Sequence, residues 1–199
     1  MIRLATERDA EAVQAIYAPF VLRTAVSFEI EPPSVDEMRS RIVKTLTHLP
    51  WLVCEQKGDR ENNVIGYVYA SRHRERPGYA WSVDVAVYIH EEYRRHGVGR
   101  ALYTSLFQVL RLQGFYNAYA GVALPNPGSV GLHEFLGFEP VGVYRAVGYK
   151  LGGWHDVGWW QLALRPHSAA PAPPRDIGSV AAGAEWDAAM RSGLALLRL

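Results

Sequence analysis

The spacing of apolar and polar residues changes period along the chain, and each change marks an element. Ile2 and Leu4 alternate with polar neighbours, which predicts a short first strand. Thr6, with Asp9 three residues on, reads as a helix cap before the periodic set Ala12, Val13, Ile16, Tyr17, Phe20 and Val21. That helix closes before residues 24–28. Pro32-Pro33-Ser34 followed by Glu37 predicts a second helix with Met38, Ile42, Val43 and Leu46 on one face, ended by Pro50. Residues 51–56 and 64–71 have the β-branched and aromatic character of strands and are joined by a polar hairpin turn over residues 57–63. A very polar loop, Arg72-His73-Arg74-Glu75-Arg76-Pro77-Gly78, then leads into a long strand predicted over residues 79–89.

The helix after Gly97 carries Leu102, Leu106, Val109 and Leu110 and is capped by Gly114. A strand over residues 116–122 comes next, then a short helix capped within Leu124-Pro125-Asn126-Pro127-Gly128-Ser129, then strands near residues 141–149 and 157–164. The order is one strand, two helices, three strands, helix, strand, helix, two strands, which predicts an α/β fold with a mixed sheet and a crossover helix at its middle. After Leu164 the composition changes. Residues 165–175 hold four prolines and three alanines, and residues 176–199 are alanine-rich with a weak helical pattern through Trp186, Met190, Leu194 and Leu197. The expected organisation is a domain over residues 1–165 and a linker with an appended segment over residues 166–199, ordered only if it docks on the body or on a partner.

Bulk numbers narrow the field. At 199 residues, with 49% apolar and 21% charged, the chain suits one soluble domain, and a net charge of +1 singles out neither nucleic acid nor a membrane surface as principal partner. Cys54 is the only cysteine, so an internal disulfide and a cysteine-only metal site are both excluded, which fits a reducing compartment. Its setting, Trp51-Leu52-Val53-Cys54-Glu55, is that of a small core residue rather than a nucleophile. No stretch reaches the ~20 apolar residues of a membrane span, and Met1-Ile2-Arg3-Leu4-Ala5 lacks the apolar core of a signal peptide, so a cytoplasmic location is expected. His48, His73, His90, His96 and His167 show no ligand spacing, and His155 beside Asp156 reads as a structural pair, so no metal is expected.

The candidate chemistry centres on Asp84 to Tyr103. An apolar strand, Val85-Ala86-Val87-Tyr88-Ile89, passes through a short charged turn into Arg94-Arg95-His96-Gly97-Val98-Gly99-Arg100, where a helix begins. Backbone N–H groups of such a loop point into one concavity, the helix dipole adds positive potential, and the glycines let a phosphate approach. Arg94, Arg95 and Arg100 would add full charges at the rim. The loop is not a Walker P-loop, since no Gly-Lys-Ser/Thr succeeds the glycines, and it is not a dinucleotide fingerprint, since Leu102 stands where a third glycine is needed. Arg-x-x-Gly-x-Gly after a valine-rich strand resembles the pyrophosphate loop of the Gcn5-related N-acetyltransferases (GNAT), which use acetyl-CoA.

The resemblance sharpens at Trp51-Leu52-Val53, Tyr79-x-Trp81, Val87-Tyr88-Ile89, Leu124-Pro125-Asn126, Ser129-Val130-x-x-His133-Glu134, Gly137-Phe138, Arg145-x-x-Gly148-Tyr149-Lys150 and Gly153-Trp154-His155-Asp156-Val157-Gly158-x-Trp160-Gln161-Leu162. Together these look like the phosphinothricin N-acetyltransferases over about residues 1–165. The resemblance implies the GNAT fold, with splayed middle strands and flanking helices. It implies that Val85 to Ile89 splays from the strand after the crossover helix, leaving main-chain groups free for the pantetheine amides, and that Arg94 to Arg100 take the diphosphate. By the same likeness Asn126 bonds the cofactor arm, Ser129 lies beside it, and His133 falls where many members carry a tyrosine near the sulfur. Asp84 stands where the family has a glutamate proposed as base, one methylene shorter, which favours a bridging water. Arg74, Arg76 and Tyr79 align with substrate-binding positions, guanidinium groups being suited to carboxylate or phosphinate oxygens, and Phe28 aligns with the apolar wall beneath the substrate.

The reaction so implied is direct acetyl transfer from acetyl-CoA to the amine of a glutamate-like amino acid. Asp84 removes a proton and a backbone N–H near Val87 steadies the oxyanion. His133 either protonates the departing thiolate or shares in the deprotonation. Another small amine, a protein N-terminus, or a non-catalytic acyl-CoA sensor stand as alternatives. A homodimer through the aromatic-rich final strands is also implied.

Overall fold

The computed structural model describes residues 1–56 and 63–199, so the expected hairpin turn lies, apart from Asn63, outside the described residues. In chain order the elements are β1 (Ile2–Leu4), α1 (Ala10–Arg23), α2 (Val35–Leu46), β2 (Trp51–Glu55), β3 (Val64–Arg72), β4 (Ser82–Ile89), α3 (Val98–Gln113), β5 (Asn117–Leu124), α4 (Pro127–Phe135), β6 (Glu139–Lys150), β7 (Gly153–Ala163), α5 (Ile177–Ala181) and α6 (Trp186–Arg191). The strands form one mixed sheet in the order β1-β2-β3-β4-β5-β7-β6, antiparallel throughout except for the parallel pair β4 and β5. α3 supplies the crossover that a parallel pair requires.

Alternation along the strands divides the core. Val83 and Val85 of β4 join Leu52, Val68, Leu102, Leu106 and Leu110 in the cluster under α3. Trp51, Val53 and Tyr67 face the other way, onto Val13, Ile16, Met38 and Ile42 of α1 and α2. Asp9 locks the start of α1. It accepts the Thr6 backbone N–H at 2.7 Å and the Arg3 guanidinium at 2.7 and 2.8 Å, and Arg3 also pairs with Glu55. Burial alone would raise this carboxyl, and its donors hold it below the usual carboxylate range.

Two element expectations are corrected. The strand predicted from Tyr79 starts at Ser82, because residues 77–79 form a 3-10 turn in which the Ala80 N–H donates to the Pro77 carbonyl at 3.0 Å. Val43 does not join the buried face of α2 and is 51% exposed; Met38 and Ile42, four residues apart, define that face, and Val43 lies one step around the helix from it. The His155–Asp156 pair is structural in a different sense from the one expected. His155 Nε2 donates to the Lys150 carbonyl at 3.0 Å, while Asp156 accepts the Ala146 N–H at 2.7 Å and the Arg145 guanidinium at 3.3 Å, so each side chain serves β6 rather than its neighbour.

The C-terminal segment lies on the body, along α3. Gln113, buried at the end of α3, donates to the carbonyls of His48 and Arg175 at 2.8 Å each, and Ser105 donates to the Met190 carbonyl at 2.8 Å. Ile177, Val180, Ala189 and Met190 are buried. Gly193 sits so close to Ala101 that a Cβ would meet its backbone, and the Arg198 N–H reaches the His96 carbonyl at 3.0 Å. The tail therefore ends against the glycine loop. Gly193→Val is expected to cost about 1–3 kcal/mol and to expose the last residues to limited proteolysis at temperatures where the sheet is intact. Thermal unfolding and proteolysis measure both, and an unchanged melting temperature would show that the segment is not held by this contact.

Candidate active site

β4 and β5 share only three register positions, Ser82 with Asn117, Val83 with Ala118 and Asp84 with Tyr119. β4 remains paired to β3 as far as Ile89, and β5 to β7 as far as Leu124. A gap thus opens at Asp84 inside a sheet that is continuous on both sides. Along residues 85–89 and 120–124 the facing edges hold main-chain N–H and C=O groups without a ladder partner, which is costly unless another polar chain enters.

The glycine loop closes the far end of this gap. Among the described residues no protein acceptor meets the N–H groups of Arg95, His96, Gly97, Val98, Gly99 or Arg100. Those of Val98, Gly99 and Arg100 are orphaned by helix geometry and carry the positive end of the α3 dipole. Arg95 and Gly97 both turn left-handed, at φ 71° and 80°, and a Cβ on Gly97 would collide with the Leu196 carbonyl of the tail. At Gly99 a Cβ would come within 3.2 Å of Leu132, so the bare backbone sets how closely α3 approaches α4. Arg94 lies 5.3 Å from the Phe20 ring and Arg100 3.9 Å from the Phe135 ring, with Arg95 and His96 exposed beside them. Unbonded amides ringed by cations suit a diphosphate, and open strand edges suit an amide-bearing arm. Side chains of the strand are otherwise engaged: Tyr88 packs edge-on to Tyr17 and Phe20, while Val87 and Ile89 pack against the core under α3.

A cleft of about 410 Å³ opens at Asp84, lined also by Phe28, Tyr69, Ala86, Gly121, Tyr144 and Trp159. Trp159 lies flat on Gly121, where a Cβ would be 3.2 Å from the indole, and Phe28 occupies the space a side chain at Gly148 would need. Lys150, buried, donates to the carbonyls of Val21 and Ser27 at 2.6 Å each and so pins the segment that carries Phe28.

The sequence-predicted residues divide. Phe28 and Asp84 meet in the cleft. Arg74 stands at its rim, its guanidinium 5.9 Å from the Trp159 ring and donating to the His73 carbonyl at 2.7 Å. Arg76 and Tyr79 instead line a separate depression of about 310 Å³ at the start of β4, which Arg74 also borders. Asn126 caps α4, accepting the Ser129 N–H at 3.1 Å. His133 is 3% exposed and fully committed: Nδ1 donates to the Ser129 carbonyl at 2.8 Å and Nε2 accepts from the Tyr103 hydroxyl at 2.9 Å. Burial pushes its pKa down, only partly opposed by the Ser129 carbonyl, which leaves the ring neutral. As placed it has no free proton, contrary to the role expected for it. His73 was not expected at the site. It lies 2.6 Å from Asp84, an approach that spacing along one chain does not reveal because it forms across the β3–β4 pair. Cys54 is buried and its thiol is pushed up to about 11, in keeping with a core residue. Among the described residues no cluster suits a metal ion, and no helix is long and apolar enough to cross a membrane.

A half-open parallel pair, an unbonded glycine loop at a helix start and a half-buried carboxylate at the fork define an acyltransferase built to receive a nucleotide thioester. The family model for the acetyltransferase (GNAT) domain matches residues 2–159, and the chain belongs to the GNAT superfamily and, within it, to the phosphinothricin N-acetyltransferases. It is 40% identical over 179 residues to the phosphinothricin N-acetyltransferase of Streptomyces viridochromogenes, covering 90% of this chain and 93% of that one. It is 32% identical to the L-methionine sulfoximine/L-methionine sulfone acetyltransferase of Salmonella typhimurium, covering 86% and 98%. The structure of a phosphinothricin acetyltransferase from Sinorhizobium meliloti, in complex with acetyl-CoA, superposes with a TM-score of 0.80 at 33% identity, covering 86% and 92%. The enzyme is an N-acetyltransferase.

The geometry dictates how Asp84 titrates. Burial raises its pKa, opposed by the hydrogen bond from His73 and the charge of Arg74. An acid whose folded pKa is raised keeps its proton longer than in the unfolded chain, so folding stability falls as pH rises through that window. Asp84→Asn is therefore expected to be more stable than wild type at neutral pH and to lose this advantage in acid. Denaturant unfolding at both pH values checks it; equal stabilities would show water reaching the carboxylate.

Proposed function

We propose that the enzyme moves the acetyl group of acetyl-CoA to the amino group of a glutamate-like amino acid such as phosphinothricin or methionine sulfoximine. The observation that carries this reading is the position of Asp84, at the one point where the open strand edges meet the Phe28–Trp159 cleft. Acetyl-CoA supplies an acyl thioester. The amides of residues 95–100, with Arg94, Arg95, His96 and Arg100 around them, hold its diphosphate. The edge of residues 85–89 holds its arm on one side, and Asn126 and Ser129 at the head of α4 face it from the other. Holding both reactants in one fork supplies much of the rate.

An amino acid reaches the cleft as an ammonium and has no lone pair until a proton leaves. Asp84 takes that proton, through a water given its short side chain, and its burial favours the uptake. Unpaired N–H groups near Val87 offer donors to charge developing on the carbonyl oxygen. Phe28 supports the aliphatic part of the acceptor, and Arg74, with Arg76 reaching from the neighbouring depression, holds its anionic end. His133 we assign to holding α4 on Tyr103, since both of its nitrogens are bonded within the protein.

CoA release measured across phosphinothricin, methionine sulfoximine, methionine sulfone, common amino acids and a short peptide tests the reading. Turnover with the first three well above the rest is expected; preference for the peptide, or release independent of acceptor, would overturn it. We place the enzyme in the cytoplasm as a homodimer. The outer edge strand β6 and the turn after it support this, with Val141, Val143 and Tyr149 of the strand and Leu151 of the turn exposed by 60, 43, 58 and 63%, and Trp154 of β7 by 67%. Sedimentation is expected to show a dimer that Trp154→Arg converts to monomer, whereas a monomeric wild type would contradict the assembly.

A further inference from the structure

A carboxylate that takes a proton from an amine must be held in place, and Asp84 has few holders. It stands at the last position where β4 pairs with β5, 27% exposed, bordering the cleft. Among the described residues its only hydrogen bond is to His73, Nδ1 to Oδ1 at 2.6 Å. An ionised carboxylate can only accept, so Nδ1 carries the proton in this hydrogen bond. His73 is itself held on several sides. Its ring stacks on Tyr119 of β5 at 4.3 Å and 19°, and it makes edge contacts with Tyr79 at 5.9 Å and Trp159 at 6.3 Å. Its side chain is 13% exposed. Nε2 has no hydrogen-bond partner among the described residues.

We infer that His73 is a positioning residue for the acetyl-transfer reaction, its Nδ1–H fixing one oxygen of Asp84 so that the other is presented, charged, to the acceptor amine. This rests on Asp84 being the proton acceptor. Three features of the geometry assign the role to His73 rather than to a neighbour. It alone bonds the carboxylate. Its ring is packed by residues from both strands beyond the fork, Tyr119 from β5 and Trp159 from β7, so the donor cannot swing away without breaking the stack. Its hydrogen bond also opposes the desolvation that raises the Asp84 pKa, and so favours the charged form that can take up a proton. The other groups facing the pair are Arg74 from the same loop, which attracts the charged form of Asp84, and the hydroxyls of Tyr69 on β3, Tyr79 in the 3-10 turn and Tyr119 on β5.

The proton path balances without further reactants. The ammonium gives a proton to Asp84, directly or through water, and the freed lone pair forms the new C–N bond as the thioester C–S bond breaks. The nitrogen gives up its second proton to the departing thiolate, directly or through water, so that CoA leaves as the thiol and the amide is neutral, and Asp84 returns its proton to solvent before the next turnover. His73 keeps its Nδ1 proton throughout.

The test compares His73→Phe, which keeps the stack and removes the donor, with His73→Asn, which restores an N–H near the Nδ1 position. With saturating acetyl-CoA, His73→Phe is expected to lower kcat/KM for the amine about tenfold or more at neutral pH and to move the acid limb of its pH profile upward by about one unit. The KM for acetyl-CoA should stay at its wild-type value. His73→Asn should recover most of the rate and return the limb toward wild type. A wild-type profile in His73→Phe, or no recovery in a folded His73→Asn, would overturn the inference. Nitrogen NMR of the histidines in wild type gives a measurement that needs no folded variant: a protonated Nδ1 at His73, lost or altered in Asp84→Asn, is expected, and an Nε2–H tautomer would refute it. Asp84→Asn separates the two layers, because full turnover in that variant removes Asp84 as proton acceptor, whereas an inactive Asp84→Asn beside an unaffected His73→Phe removes only the role of His73.

Discussion

The structure depends on a defect that the rest of the molecule is arranged to tolerate. Two parallel strands at the centre of a seven-stranded sheet pair for three residues and then part, although each is fully laddered on its other side. Main-chain groups left open in this way cost free energy that only a polar ligand can return. The gap persists because β3 and β7 hold the two halves rigidly, and because α3, buried along most of its length, crosses from one half to the other.

Small residues then decide how close everything around the gap can come. Gly99 allows α3 to press on α4, Gly121 lets Trp159 lie flat on β5, and Gly148 leaves room for Phe28 at the cleft. Long-range polar ties hold the irregular parts. Lys150 binds two carbonyls next to the Phe28 segment, and Asp156 secures the bend in β6 whose residues Tyr144 and Val147 line the same cleft. Even the tail takes part, since its last residues rest against His96 and Gly97. The loop with the unbonded amides is thus supported from behind by carbonyl and amide groups that leave those amides alone.

At the fork, burial and hydrogen bonding act on Asp84 in opposite directions. Burial favours the proton and His73 favours the charge, and burial is the larger effect, so the carboxyl is held above its usual range. His133 shows the contrasting outcome. With a carbonyl on one nitrogen and a hydroxyl on the other, its hydrogen-bonding capacity is spent on holding two helices together.

Much of this was legible in the chain itself. Alternation and helical spacing predict nearly every element, since burial acts on local periods of two and 3.6. The glycine loop announces itself because positive φ, orphaned amides and close approach are demands met by neighbouring residues. The open pair is implied by family resemblance, and the bonding of the sheet bears it out. What only the tertiary structure decided is where particular side chains come to rest: His73 on Asp84 at the end of a strand pair, His133 with Tyr103 across two helices, Arg76 turned to a different depression from Asp84, and an alanine-rich tail lying along α3. Local propensity cannot encode these, because a hydrogen bond or a packed ring depends on where two surfaces come to rest, and that is set by the shape of the whole core.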